Sequence, residues 1–334
     1  MKHSNVAIFV PHIGCPNQCS FCNQKSISQT AKQPDADDVL KICGNALEYM
    51  GEKARNAEIA FFGGSFTAIE QGYMLSLLKA ARQFVGEGKF SGIRISTRPD
   101  AIDQEKLMLL KSFGVTAIEL GVQSMDDEVL RLNERGHTSA DVEKSAQLVK
   151  QSGIQLGLQM MTGLYGDTEN GSIKTAEKII ALKPSTVRIY PTAVIKHTRL
   201  AQLYSSGEYR PQTTQEAVKL CARLLLMFEQ AGINVIRLGL HASDGLEGDI
   251  IAGAYHPAFR ELCEGEIMLG NALEYIEKNS LAKGGCNVFV NEKSISRMAG
   301  QHRCNIDKLF ALGYNIKIKK DNSLQKYGLY IQAG

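Results

Sequence analysis

Three cysteines stand within eight residues, Cys15, Cys19 and Cys22, spaced Cys-x3-Cys-x2-Cys just after the apolar stretch Val6–Val10. Thiolates are soft ligands, suited to an iron-sulfur cluster or to zinc. Four of them would close a tetrahedral zinc site or saturate the four irons of a cubane cluster, whereas three leave one position open, and an open iron can be ligated by a substrate. Gly14 loosens the backbone here and Pro16 restricts it, while Phe21, between the second and third cysteines, is placed to shield a cluster from water. The competing readings are a zinc knuckle completed by His12 or a distant cysteine, and three free thiols. Eight cysteines in 334 residues make no disulfide scaffold, and the irregular spacing of Cys43, Cys221, Cys263, Cys286 and Cys304 argues for packing over a second cluster.

Positioning such a loop falls to the elements around it. Strand-like apolar stretches occur at Val6–Val10, Ile59–Phe62, Ile93–Ser96, Ala117–Leu120, Ile154–Met160 and Val187–Tyr190. Amphipathic helical patterns run between them at Asp35–Met50, Gln71–Phe84, Gln104–Phe113, Ala140–Gln151 and Ile173–Ala181. This alternation predicts an α/β fold of βα units around a parallel sheet. Polar or glycine-bearing segments follow the strands: the cysteine loop, Gly63-Gly64-Ser65, Thr97-Arg98 and Gly121-Val122-Gln123. In parallel α/β folds the carboxyl ends of the strands form the active face, so these segments converge on one rim. Glu119 lies in the fourth strand; facing inward it needs an arginine, a lysine or a ligand, and facing solvent it needs none. Gln159 points to the cavity, and Met160 and Met161 read as packing. A helix at Thr214–Gln230, a strand at Val235–Leu238, a helical pattern at Phe259–Glu277 and strands at Asn287–Val290 and Tyr314–Lys319 complete the chain. Residues 1–200 read as a core barrel and 201–334 as a mixed α/β extension packed on it.

The string Pro11-His12-Ile13-Gly14-Cys15-Pro16-Asn17-Gln18-Cys19-Ser20-Phe21-Cys22-Asn23-Gln24 resembles the radical S-adenosylmethionine (SAM) superfamily, and within it the Elp3-like branch. Phe62-Gly63-Gly64-Ser65-Phe66-Thr67, Ser96-Thr97-Arg98-Pro99-Asp100, Glu119-Leu120-Gly121-Val122-Gln123-Ser124, Asn133-Glu134-Arg135-Gly136-His137-Thr138 and Val187-Arg188-Ile189-Tyr190-Pro191 carry the same resemblance. It implies a partial (β/α)6 barrel and a [4Fe-4S] cluster on Cys15, Cys19 and Cys22, whose open iron takes SAM. It further implies SAM contacts from Gly63, Gly64, Ser65, Ser96, Gln123, Arg135 and Gln159, with Arg135 on the carboxylate, a task suited to a guanidinium fork. Ser65 stands where relatives often carry Glu, so contact with the methionine amino group falls to backbone carbonyls. Thr162 and Tyr165 stand where relatives commonly carry proline, which predicts a looser loop there. Elp3 relatives modify the wobble uridine of tRNA with a radical derived from an acyl-coenzyme A and carry an added acetyltransferase domain. A chain ending at Gly334 leaves no room for that domain, so the resemblance implies an acyl donor protein acting separately.

Partners are read from charge. Lys+Arg 38 against Asp+Glu 35 is near balance, but residues 281–334 hold nine Lys/Arg against three acids, a local net of +6. Lys196, Arg199 and Arg210, interleaved with Tyr204 and Tyr209, together with Lys317, Lys319 and Lys320, are the groups expected to hold tRNA phosphates and stack bases. The alternatives are a radical SAM enzyme acting on a small metabolite or cofactor precursor, and a non-enzymatic metal- or cluster-binding module. The enzyme readings require a reductant such as flavodoxin or ferredoxin. No apolar run reaches the roughly 18 to 20 residues that span a bilayer, and the first residues lack a signal-peptide core, which predicts no membrane partner and cytoplasmic residence.

Overall fold

The computed structural model describes residues 4–10, 18–23, 32–240 and 244–334. Its strands in chain order begin with β1 (Ser4–Val10), β2 (Ala57–Gly63), β3 (Gly92–Thr97), β4 (Val115–Gln123), β5 (Gln155–Thr162) and β6 (Thr186–Pro191), the six expected. Next come β7 (Ala193–Ile195), β8 (Asn234–Leu238) and β9 (Ile250–Gly253). Seven strands pair in parallel in the order β1-β2-β3-β4-β5-β6-β8, so the strand expected at Val235–Leu238 joins the main sheet. The result is a curled, parallel α/β half-barrel, one strand larger than the six foreseen.

Helices α1 (Ala36–Met50), α2 (Gln71–Arg82), α3 (Gln104–Ser112), α4 (Asp127–Leu132), α5 (Ser139–Gln151), α6 (Glu169–Ala181), α7 (Arg199–Ser205) and α8 (Thr214–Gln230) connect or follow these strands. Several start at residues that close their own first turn: Asp35 with Asp38, Thr138 with Asp141 and Thr213 with Glu216 each form a reciprocal capping box.

Alternation along each strand divides the two faces. On β2, Ile59 and Phe61 face the helices while Glu58 and Phe62 face inward; on β3, Ile93 and Ile95 face out while Arg94 and Ser96 face in. The outward residues join the helices in one continuous core, where Phe61 stacks on Phe66 at 4.7 Å between ring centroids. Burying each such side chain contributes about 1.5–3 kcal/mol. Cys43, Cys221 and Cys263 belong to this core. Of the two methionines expected to pack, Met160 is fully buried in it, but Met161 has the opposite parity and lines the inner cavity.

The remaining chain forms α9 (Phe259–Lys278) and a three-stranded sheet, β11 (Tyr314–Lys320), β10 (Gly284–Val290) and β12 (Leu329–Ala333) in that order, with its own small core around Met268, Val288, Leu309 and Ile331. Buried Glu264 on α9 ties this part together, accepting from Arg297 at 2.5 Å and lying 3.1 Å from Lys326, which links it to the rest by pairing with Glu229 of α8 at 2.8 Å. Among the described residues, no helix is long and apolar enough to cross a membrane.

Candidate active site

The inward face and the carboxyl ends of the parallel strands enclose a cavity of about 780 Å³. Its lining includes Gln18, Cys19, Phe21 and Cys22 of the cysteine loop and the predicted residues Gly63, Gly64, Ser96, Gln123, Arg135 and Gln159. Cys15 and His12 lie outside the described residues.

The cysteine loop is held from two distant places. Ser20, fully buried, donates from its hydroxyl to Asn133 Oδ1 at 2.7 Å and from its backbone N–H to Asn133 O at 3.2 Å, while the Leu200 N–H donates to Ser20 O at 2.7 Å. Asn133 in turn donates to Val129 O and Tyr165 O. Phe21 packs against the cluster of Val194, Leu200, Leu203 and Tyr209, which covers this side. Neither Ser20 nor Asn133 was singled out from the sequence; the signal available was the position of Asn133 two residues before Arg135.

That same loop delivers Arg135. Its Nη1 donates to Cys19 Sγ at 3.1 Å and its Nη2 to Gly121 O at 2.7 Å, while its Nε is buried without a hydrogen-bond partner. Gln123 sits at φ 66°, in the left-handed region costly for a side chain of its size, where a register shift between Gly121 and Gln123 turns the strand end into the cavity. Nearby His137 donates from Nε2 to Val122 O at 3.2 Å. Burial, then the Arg135 cation, push its ring down to about 4, so it is neutral at pH 7.

Gly63 has φ 119°, and a Cβ there would stand 2.6 Å from Val10 O. Only glycine lets β2 end this close to β1. Ser65 does not reach the cavity. Fully buried, it hydrogen-bonds Thr97 Oγ1 at 2.8 Å and accepts from the Arg98 N–H at 3.1 Å, bracing the loops after β2 and β3. The segment expected to be loosened at Thr162 and Tyr165 is also tied down: Tyr209 donates to Gly163 O at 2.6 Å, and Asp167 accepts from the Gly163 N–H and the Ser172 hydroxyl.

Deeper in the barrel the lining is charged. Glu119 faces inward and accepts from Arg188 Nε and Nη2 at 2.5 and 2.8 Å, from Gln159 Nε2 at 2.7 Å and from Arg94 Nη1 at 3.3 Å. Arg94 also pairs with Glu58 at 2.7 Å, and Gln159 reaches Ser96 Oγ at 3.3 Å. Burial pushes the Glu119 carboxyl up, but the Arg188 and Arg94 guanidiniums more than reverse this and hold it below the ordinary carboxylate range. Arg188 also lies over the Phe62 ring at 5.0 Å.

The six expected RNA contacts divide. Lys196 and Arg199 flank the cavity wall at Ile195, but Lys196 reaches Gly248 O at 2.6 Å and Arg199 is paired with Glu134. Arg210, exposed, pairs with Glu216 at 2.8 Å. Lys317, Lys319 and Lys320 are exposed on β11, an edge of the second sheet.

The residues present fit the groups that the motifs imply. Two of the three cysteines face one cavity, a buried guanidinium nitrogen there lacks a partner, and Gly63 clears the cradle beside them. Among the described residues no set of three or more His, Cys, Asp or Glu side chains forms a further metal site.

Comparison with known proteins agrees. Residues 9–179 match the family model of the Radical SAM superfamily, and residues 184–268 that of the Radical_SAM C-terminal domain. The chain is 30% identical over 194 residues to the tRNA uridine(34) acetyltransferase of Methanocaldococcus jannaschii, covering 52% of this chain and 36% of that protein. It is 30% identical over 203 residues to Elongator complex protein 3 of Mus musculus, covering 54% and 37%. The chain thus spans little more than a third of the length of these two curated relatives. Among solved structures, an archaeal Methanocaldococcus infernus Elp3 with an N-terminal deletion shares the fold at TM-score 0.61 and 23% identity, covering 84% of this chain and 64% of the other.

Proposed function

The chain belongs to the radical SAM superfamily of enzymes, and from that premise we propose that it holds a [4Fe-4S] cluster on Cys15, Cys19 and Cys22 and binds SAM in the barrel cavity. The observation that carries this reading is the convergence of Cys19, Cys22, Gly63, Ser96, Gln123 and Arg135 on one cavity from loops spread over more than a hundred residues. Held by Cys15, Cys19 and Cys22 and reduced by a partner such as flavodoxin or ferredoxin, a bound cluster would supply the single electron for reductive cleavage of SAM to methionine and a 5′-deoxyadenosyl radical able to take a hydrogen atom from substrate.

The protein's own residues orient and exclude water. Arg135, steadied through Nη1 by Cys19 and through Nη2 by Gly121 O, has its Nε left for the SAM carboxylate. Gly63 and Gly64 admit the methionine end against the backbone, and Ser96, Gln123 and Gln159 supply polar contacts along the cofactor. Ser65 acts one step back, holding the Gly63-Gly64 turn against β3. Phe21 and the apolar cluster behind it keep water from the cysteine loop.

For substrate we favour tRNA, on the activity for which the M. jannaschii relative is named, with Lys196, Arg199, Arg210 and the lysines of β11 as RNA contacts and an acyl donor protein as a separate partner in the cytoplasm. Anaerobic reconstitution tests the first part: four irons and 5′-deoxyadenosine formation are expected, and equal cleavage by wild type and Cys19→Ala would sink it. Addition of tRNA is expected to raise the 5′-deoxyadenosine yield, with binding that weakens steeply with salt. A yield unmoved by tRNA but raised by a metabolite fraction would favour a small substrate.

A further inference from the structure

The sheet of β11, β10 and β12 has one covered face and one open one. Cys286, Val288 and Val290 of β10, Ile316 of β11 and Ile331 of β12 point into the small core beneath it. Alternation sends the intervening side chains to the other face, where the register sets them in two rows across the strands. One row runs Lys319, Phe289, Tyr330, and the next Lys317, Asn287, Gln332. All six are exposed or half-buried, and neither aromatic ring belongs to a hydrophobic core of the described residues. The rings of Phe289 and Tyr330 stack on each other instead, 4.6 Å between centroids and 8° from parallel. Because β12 is an edge strand, no further strand stands beyond Tyr330, and the column can be extended by one more flat ring.

Charge selects what that ring belongs to. The two rows carry two lysines and no acid. Asp321, just beyond β11, is taken up by the Ser323 N–H at 3.0 Å and hydroxyl at 2.6 Å and lies beside the Tyr330 hydroxyl. A basic edge, amides in the middle and an aromatic column at the far edge match the three parts of an unpaired nucleotide: its phosphate, the polar edge of its base and the flat face of its base. An acidic peptide would meet the lysines but leave the column without a flat partner.

We propose that this open face binds a single-stranded segment of RNA, with a base stacked on Tyr330 and phosphates along Lys317 and Lys319. The inference rests on the tRNA reading for the identity of the RNA, and adds where an unpaired stretch is held and by which side chains.

The full chain, anaerobically reconstituted, is titrated with a fluorescein-labelled oligouridylate of about ten nucleotides, with the same strand in a duplex, and with tRNA. The single strand is expected to bind at least about tenfold tighter than the duplex, and Phe289→Leu and Tyr330→Leu each to weaken it by about tenfold, the loss of one stacking contact. Lys319→Gln should lower the slope of log affinity against log salt by about 0.7, the share of one phosphate on a single strand. The sequence contains no tryptophan, so Tyr330→Trp sets a single reporter at the stacking position; its emission is expected to be quenched by the oligonucleotide with affinity kept. Should a leucine variant melt early, the tryptophan variant still decides. Binding without quenching, equal affinity for strand and duplex, or well-folded leucine variants that bind as wild type would each overturn the proposal, the last leaving the face to a protein partner. The two claims fail separately. If tRNA raises the 5′-deoxyadenosine yield but its binding ignores these substitutions, the functional reading stands and the sheet site falls; if the oligonucleotide binds as expected and tRNA leaves the yield unmoved, the sheet site stands and the tRNA reading falls.

Discussion

The two sides of the cavity are built in opposite ways. At the carboxyl ends of β1 to β4, contacts come from backbone and from groups in uncommon states: Gly63 at φ 119°, Gln123 at φ 66°, and an Arg135 whose buried Nε has no partner. Deeper in the barrel, across β3 to β6, they come from long side chains that satisfy one another, with Glu119 accepting from Arg188, Arg94 and Gln159. Strain and an orphaned donor mark a surface shaped for something it does not itself contain. A closed charge network marks a surface that holds its own geometry. The first side should therefore govern cofactor binding with little effect on stability, and the second should govern stability first.

Cys19→Ala gives the sharpest test of that division. SAM cleavage is expected to fall by at least about 10³-fold, to background, with a melting temperature within a few degrees of wild type; a large drop in melting temperature would break the contrast. Glu119→Ala should do the reverse, taking the carboxylate from buried Arg188 and leaving Arg94 with Glu58 alone, at a cost of about 3–5 kcal/mol by urea denaturation. Acid probes the divide through His137. The fold accepts its neutral ring, with the pKa lowered from 6.5 to about 4, so its contribution is complete above pH 6.5 and is lost as pH falls toward 4. The urea midpoint should report a loss on the order of 3 kcal/mol across that window, largely absent in His137→Gln. The Glu119 contribution, from a carboxyl held low, is present above the ordinary carboxylate range and disappears only at more acid pH. Smallest is Arg135→Lys, which keeps the charge but loses the fork: SAM affinity by equilibrium dialysis should weaken about tenfold, and an unchanged affinity would leave the first side without its anchor.

The sheet was legible because each inner strand reads as a short apolar run closed by glycine or polar residues, and the motif loops fall at strand ends. The seventh strand was visible as a strand at Val235–Leu238, but pairing with β6 across α7 and α8 is a long-range fact that periodicity does not carry. Strands as short as β7 and β9, of three and four residues, lie below the length at which alternation can be told from chance. Ser65 was expected among the cofactor contacts and braces Thr97, because the glycine at φ 119° before it redirects the chain and no pattern in Gly-Gly-Ser reveals which way. For Glu119 the sequence left an inward and a solvated placement open, and the inward one, with arginine partners, is the one found. Its partners were also detectable, since Arg94, Glu119 and Arg188 are each the lone charge of a strand.

The tie between Ser20 and Asn133 has a consequence in the order of events during synthesis. The cysteine loop leaves the ribosome well before its anchors, which lie 113 residues later at Asn133 and later still at Leu200. At about 5–20 residues per second, the thiols wait on the order of 10–40 s before the second anchor is made. Until then they stand on an untethered strand end, open to oxidation or to the wrong metal. Assembly of the centre is thus a late step, and slowing translation between residues 23 and 200 is expected to lower the fraction of chains that acquire iron.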